Sequence, residues 1–122
     1  MIRNRDKGTV LCDSYELAES GWQKTKGLMF RKGMPESHGM LMTFHGKTKP
    51  GIWMMGMKFP IDIVFLDSSK EVIRVVENAQ PIGFSWRTWR IFSPPVSASF
   101  VLELPAGRAG KSRTLVGDTL EF

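Results

Sequence analysis

The sequence is short of several things at once. Its 122 residues hold a single cysteine, Cys12, so no internal disulfide can form. Two histidines, His38 and His45, are too few to close a zinc site without carboxylates brought in from elsewhere. No apolar run reaches the roughly 18 residues that a membrane-spanning helix needs. The start, MIRNRDKGTV, has no apolar middle of the signal-peptide kind. A lone thiol and a charged start lead to the expectation of a cytoplasmic protein without membrane association. No repeat or low-complexity tract divides the chain, and its length fits one domain over residues 1–122.

Acidic residues are also in the minority. Asp and Glu number 12 against 17 Lys and Arg, a formal charge of +5. Such a surface could attract nucleic acid. The basic residues form no single block, however, so a soluble globule with a basic surface accounts for the balance equally simply. The apolar fraction of 42% and charged fraction of 24% fit that class.

What is abundant is punctuation. Twelve Gly and seven Pro are spread along the chain and cut it into short pieces. Residues 8–11 and 15–18 read as short strands around the turn residues Asp13 and Ser14. Ser20 is placed to cap a helix from Gly21 to about Phe30, weakened by Gly27. Trp22, Leu28 and Met29 would form its apolar side, and no other helix is expected. Strands follow at 39–44, 52–57 and 61–66. The segments 61–66 and 71–77 form the clearest hairpin, across the turn Asp67-Ser68-Ser69-Lys70. Further strands are expected at 86–92, 99–104 and 120–122. In 99–104, Phe100, Leu102 and Leu104 share one face, and Ser99, Val101 and Glu103 share the other. The expected fold is all-β: an antiparallel sandwich or barrel of about eight short strands with one short N-terminal helix.

The stretch FPIDIVFLD, residues 59–67, is apolar on both faces, which marks a central strand led in by Pro60. Asp62 stands inside it. A carboxylate there is a working group or a structural pin. Glu103 poses the same question in VLELP. Arg31, after the apolar Leu28-Met29-Phe30, is the expected cation for Asp62, in a pair that ties the helix end to the central strand.

Other motifs dissolve on inspection. AGRAGKS ends like a phosphate-binding P-loop, but the position that needs the first glycine is Pro105, which has no amide to offer. His38, Met40, Met42 and His45, with Met54, Met55 and Met57, could offer soft ligands to copper(I). Methionines also fill β-cores, and residues 40, 42 and 44 share a face with Phe44 among them, which favours core. Cys12 with His38 or His45 could be a nucleophile and its base; a lone Cys between apolar residues is more simply a small buried hydrophobe. FSWRTWRIF brings Trp86, Arg87, Trp89 and Arg90 together, as a surface that stacks on bases and pairs with phosphates would. Strand alternation mixes Trp and Arg on both faces, and arginine stems lying over aromatic rings explain the pattern as well.

GLMFR (27–31), GMLM with Phe44 (39–44), Trp53-Met54, FPIDIVFLD (59–67), VLELPAG (101–107) and Gly117-Asp118 together resemble the family known as domain of unknown function 192. The pieces come in the family's order and cover nearly the whole chain. The resemblance implies a β-rich sandwich or barrel with a short helix near the start, and implies no activity and no cofactor. It marks Arg31, Trp53, Met54, Asp62 and Glu103. Where relatives often carry Asn-Thr after Trp-Met, this chain has Met55-Gly56, which puts the polarity of any pocket there in doubt. Three functions stay open. The first is a binding module for a small ligand or protein partner, using Arg31, Trp53, Asp62 and Glu103. The second is nucleic-acid binding through residues 84–92. The third is an enzyme with Asp62 or Glu103 as acid or base.

Overall fold

The structure, a computed structural model, describes residues 1–83 and 90–122, apart from the side chains of Trp22 and Thr25. The described residues form ten strands and two short helices. In chain order they are β1 (Ile2–Asn4), β2 (Thr9–Cys12), β3 (Ser14–Ala18), α1 (Gly21–Lys26), β4 (His38–Thr43), β5 (Ile52–Trp53), β6 (Ile61–Leu66), β7 (Val72–Ala79), β8 (Ile91–Phe92), β9 (Phe100–Pro105), α2 (Arg108–Lys111) and β10 (Leu120–Glu121).

The frame is an open five-stranded sheet in the order β3-β4-β9-β6-β7. Every pairing in it is antiparallel except β3 with β4, which run parallel. The expectation of an antiparallel sandwich or barrel therefore needs correction on two points: one pairing is parallel and no barrel forms. The sheet does not close, and α1 with the residues after it carries the chain from β3 back to the same end for β4, as a parallel crossover demands. A three-stranded sheet, β10-β1-β2, covers one face. The other face is covered by the β5-β8 ribbon, the residues after α1 and the 54–57 turn.

Period-two alternation sends the side chains of each central strand into two separate cores. Met40, Met42, Ile61, Ile63, Phe65 and Val101 enter the core beneath the ribbon. Leu41, Val64, Leu66, Leu102 and Leu104 enter the core beneath the three-stranded sheet, with Ile2, Leu11, Cys12 and Leu120. All six residues of β6 are buried, as its two apolar faces require. Each of its large apolar side chains contributes about 1.5–3 kcal/mol by leaving water.

The helices depart from expectation in length and number. Ser20 caps α1 as expected: its Oγ accepts from the Gln23 amide at 3.1 Å, and Gln23 Oε1 accepts from the Ser20 amide at 3.0 Å. The helix stops at Lys26 rather than Phe30 because Gly27 turns the backbone to φ 46°. The expectation of a single helix, at the N-terminal end, is overturned by α2, one turn near the C-terminus that four residues of AGRAGKS gave no periodicity to reveal. The strand expected at 52–57 is β5 alone. Gly56 at φ 75° turns the chain there, and a Cβ on it would come within 2.9 Å of Met29 Cε. Of the strand expected at 86–92, Ile91–Phe92 is present; residues 84–89 lie outside the described part.

Candidate functional site

Two of the buried acids, Asp62 and Glu103, stand on adjacent strands and face opposite ways. Asp62 pairs across β6 and β9 with Leu104, on the side of the three-stranded sheet; Glu103 pairs with Ile63, on the side of the ribbon. Both are almost fully shielded, Asp62 at 0% and Glu103 at 4% exposure.

Asp62 is a pin. Its Oδ1 accepts from the Asn78 amide and its Oδ2 from the Ala109 amide, both at 2.8 Å. Asn78 adopts φ 54°, so the carboxylate fastens a strained turn of β7 on one side and the start of α2 on the other. The segment that imitates a phosphate loop thus offers an amide to the protein's own carboxylate.

The expected Arg31–Asp62 pair does not exist. Arg31 lies on the other side of the sheet and meets Glu16 of β3 through both guanidinium nitrogens, at 3.1 and 2.8 Å. This pairing holds Glu16 below the usual carboxylate range. Glu16 shares the face of Met40, its partner across β3 and β4, whereas Asp62 faces away from it. An alternation of one residue decides which side a charge occupies, and no sequence spacing between Arg31 and Asp62 reports it.

Glu103 is left in a different state. Its Oε2 has no hydrogen-bond partner, and among the described residues no other buried side-chain oxygen or nitrogen shares that condition. Burial pushes its carboxyl up to about 7, with the Arg31 charge pulling weakly the other way. It lines the inner part of a cleft of about 380 Å³. The walls are apolar: Leu28 and Met29, Met42 of β4, Ile52, Met54, Met57 and Ile61. Trp53, 45% exposed, also lines the cleft, together with the half-buried Lys24 and the exposed Lys26 of α1.

Local sequence explains how these walls are held. Gly27 ends α1 and lets Leu28 drop into the core at 1% exposure. The Phe30 amide then donates to the Gly56 carbonyl at 2.8 Å, which docks the 54–57 turn on the residues after the helix. Lys24 Nζ donates to the Thr43 carbonyl at 2.9 Å and lies 4.3 Å from the centroid of the Phe44 ring. Of the four residues expected at a site, Trp53 and Glu103 come together. Arg31 acts from beside the cleft, and Asp62 is behind the sheet.

Met40, Met42, Met54 and Met57 are buried core residues. Among the described residues no cluster of three His, Cys, Asp or Glu could hold a metal ion. Cys12 is fully buried and burial pushes its thiol up, which is the opposite of an activated nucleophile. The Trp86, Arg87 and Trp89 portion of the basic aromatic segment lies outside the described residues. The guanidinium of Arg90 lies 5.2 Å from the Phe92 ring centroid, as arginine stems over aromatic rings would.

Two features were missed from sequence. Lys24 and Lys26 in the cleft lining carry no local signal beyond being the basic end of a helix. Ser14, His38 and Glu16 also meet: Ser14 Oγ is 2.9 Å from His38 Nδ1, and His38 Nε2 is 3.7 Å from Glu16 Oε1. They resemble a hydrolytic triad only on paper. The acid is beyond hydrogen-bond reach of the imidazole, and both its oxygens accept from Arg31.

Comparison with known proteins gives a consistent picture. The model of the DUF192 family (domain of unknown function 192), described as an uncharacterized ACR, matches residues 2–122. A UPF0127 protein of Thermococcus sibiricus is 26% identical over 122 residues, which is 100% of this chain and 74% of that protein. A crystal structure of a protein of unknown function from Novosphingobium aromaticivorans superposes with TM-score 0.86 and 26% identity, over 99% of this chain and 81% of that one. A Sinorhizobium meliloti structure, described as that of a candidate transcription regulator, gives TM-score 0.78 and 33% identity over 88% of this chain and 79% of that one. Among the described residues no helix is long and apolar enough to cross a membrane.

Proposed function

The chain belongs to the domain of unknown function 192 family, and from that premise we propose that it is a non-catalytic binding module whose cleft over Glu103 holds a small molecule. The observation that carries this reading is the unpartnered Oε2 of Glu103 at the inner end of an apolar cleft. A buried polar atom without a partner costs about 1–3 kcal/mol, more when charged. A fold that satisfies Asp62 with two amides has the means to satisfy Glu103, and leaves it to an incoming group. Concave, mainly apolar walls with one convergent polar group are the usual form of a small-molecule site. The lone, buried Cys12 suits a reducing, cytoplasmic setting.

The test is a titration of the labelled protein with a library of small polar-headed molecules, read from the amide signals of Trp53, Met54, Met57 and Glu103. Shifts confined to these residues, and lost in Glu103→Gln, are expected. A library without any member that moves them would overturn the reading.

A second reading is an enzyme using Glu103 as general acid or base. A carboxyl held at about 7 is matched to proton transfer near neutral pH. Asp62 is not available for that role, since both its oxygens are engaged. Nucleic-acid binding through residues 84–92 would show itself as binding to DNA or RNA that weakens steeply with salt.

A further inference from the structure

Resting on the ligand-binding reading, we infer that the cleft is built for a zwitterion: an ammonium at the inner end against Glu103, an apolar body between, and an anionic group at the outer end against Lys24 and Lys26.

Burial orders the polar groups along the cleft. Glu103 is shielded at its inner part, Lys24 is half-buried and Lys26 is exposed. Once ionised, the inner group is an acceptor without a donor. A ligand carboxylate or phosphate would face it as a like charge in apolar surroundings, which is the costliest arrangement. A hydroxyl would supply one donor and leave the charge uncancelled. An ammonium supplies three donors and the opposite charge. A carboxylate already desolvated by the fold gains most from a partner that both neutralises it and bonds to it.

The outer end selects the opposite sign. A simple amine would have to pass two lysines on a chain of formal charge +5. Lys24 Nζ spends one donor on the Thr43 carbonyl and has others to offer. Arg31 is held by Glu16, so it adds background positive charge and does not compete as a partner for Glu103. An anionic group at the outer end turns the lysines from a barrier into partners. Between the two ends, Met42, Met54 and Met57 give flexible, polarizable walls suited to a plain aliphatic body.

The experiment uses matched chains at about pH 8, where Glu103 is ionised. The ω-amino acids from 4-aminobutanoate to 8-aminooctanoate are titrated beside hexylamine, hexanoate and hexanol, following the amides that line the cleft. The best ω-amino acid is expected to bind at least about tenfold tighter than hexylamine, with hexanoate weakest. Glu103→Gln should abolish the advantage over hexanoate and leave hexanol unchanged. Lys26→Ala, at an exposed position where folding is not at stake, should bring the ω-amino acid down to the level of hexylamine. Equal binding of hexylamine and the ω-amino acids, or an ω-amino acid indifferent to both substitutions, would overturn the zwitterion while leaving a binding cleft. If hexanol and all the charged probes leave the cleft amides unmoved, the inference falls together with the binding reading.

Discussion

Asp62 and Glu103 make a natural experiment inside one sheet. They occupy neighbouring strands and both are buried, yet one has an amide for each oxygen and the other has an oxygen with nothing. The side of Asp62 is the satisfied side. The same side holds Asn4, whose Nδ2 donates to Thr114 Oγ1 at 3.1 Å and Asp118 Oδ2 at 2.9 Å, and whose Oδ1 accepts from the Lys7 amide at 3.0 Å. Burial alone would raise Asp118, but bonds from Asn4, Lys7 and the Leu115 amide outweigh it and hold the carboxyl low. The side of Glu103 has apolar walls and an opening. Buried polar groups that are completed serve the fold, and one left incomplete beside a cleft is positioned for something outside it.

The largest effect is expected where the satisfied acid is removed. Asp62→Ala strands the Asn78 and Ala109 amides, the second on a buried residue, and should cost about 4 kcal/mol in urea unfolding. Asp62→Asn, which retains one acceptor oxygen, should cost less. An Asp62→Ala protein with unchanged stability would erase the contrast between the two faces.

Glu103→Leu should act in the opposite direction. The folded-state carboxyl, at about 7, lies above the ordinary value of 4.5, so the folded protein holds a proton that the unfolded chain gives up. Its contribution to stability is fully present below 4.5 and is lost as pH rises through about 7. The wild type should therefore lose about 3 kcal/mol relative to Glu103→Leu between about pH 4 and pH 8. Parallel stability curves for the two proteins would contradict this.

Asn4→Ala tests the satisfied side at a neutral group. It leaves the Lys7 amide and Asp118 short of partners and should cost about 2 kcal/mol by thermal unfolding. The smallest change is expected from Arg31→Ala. Arg31 and Glu16 are each more than a third exposed, so the pair contributes at most about 1 kcal/mol. Removing it should nevertheless move the Glu103 midpoint upward, since Arg31 is the charge that lowers it.

Much of this architecture was legible in the chain. The double apolar face of residues 61–66 announced a central strand, and the alternation of 99–104 divided its side chains between two cores as found. Ser20 marked the start of α1, but Gly27 read only as a weak point in a helix expected to reach about Phe30, and it is where the helix ends. The parallel pairing of β3 with β4 was not legible, because a two-faced strand pattern carries no direction. The site was half legible. An acid in an apolar strand could be recognised at Asp62 and at Glu103, but the pattern is the same for a pinned carboxylate and an open one. The difference lies in Asn78 and Ala109, residues 16 and 47 positions away whose contribution is a backbone amide, and an amide has no residue type to read. Arg31 was matched to the wrong acid for a related reason: Glu16 became its partner through the fold of α1 and the residues after it.

The most direct test is the titration of the Glu103 side-chain carboxyl carbon by NMR, in protein selectively labelled at glutamate and assigned with Glu103→Gln. A midpoint at about 7, falling when an ω-amino acid is added, is the expected result. A midpoint near the ordinary 4.5, unmoved by any probe, would mean that Glu103 already has its partners and that the cleft awaits nothing.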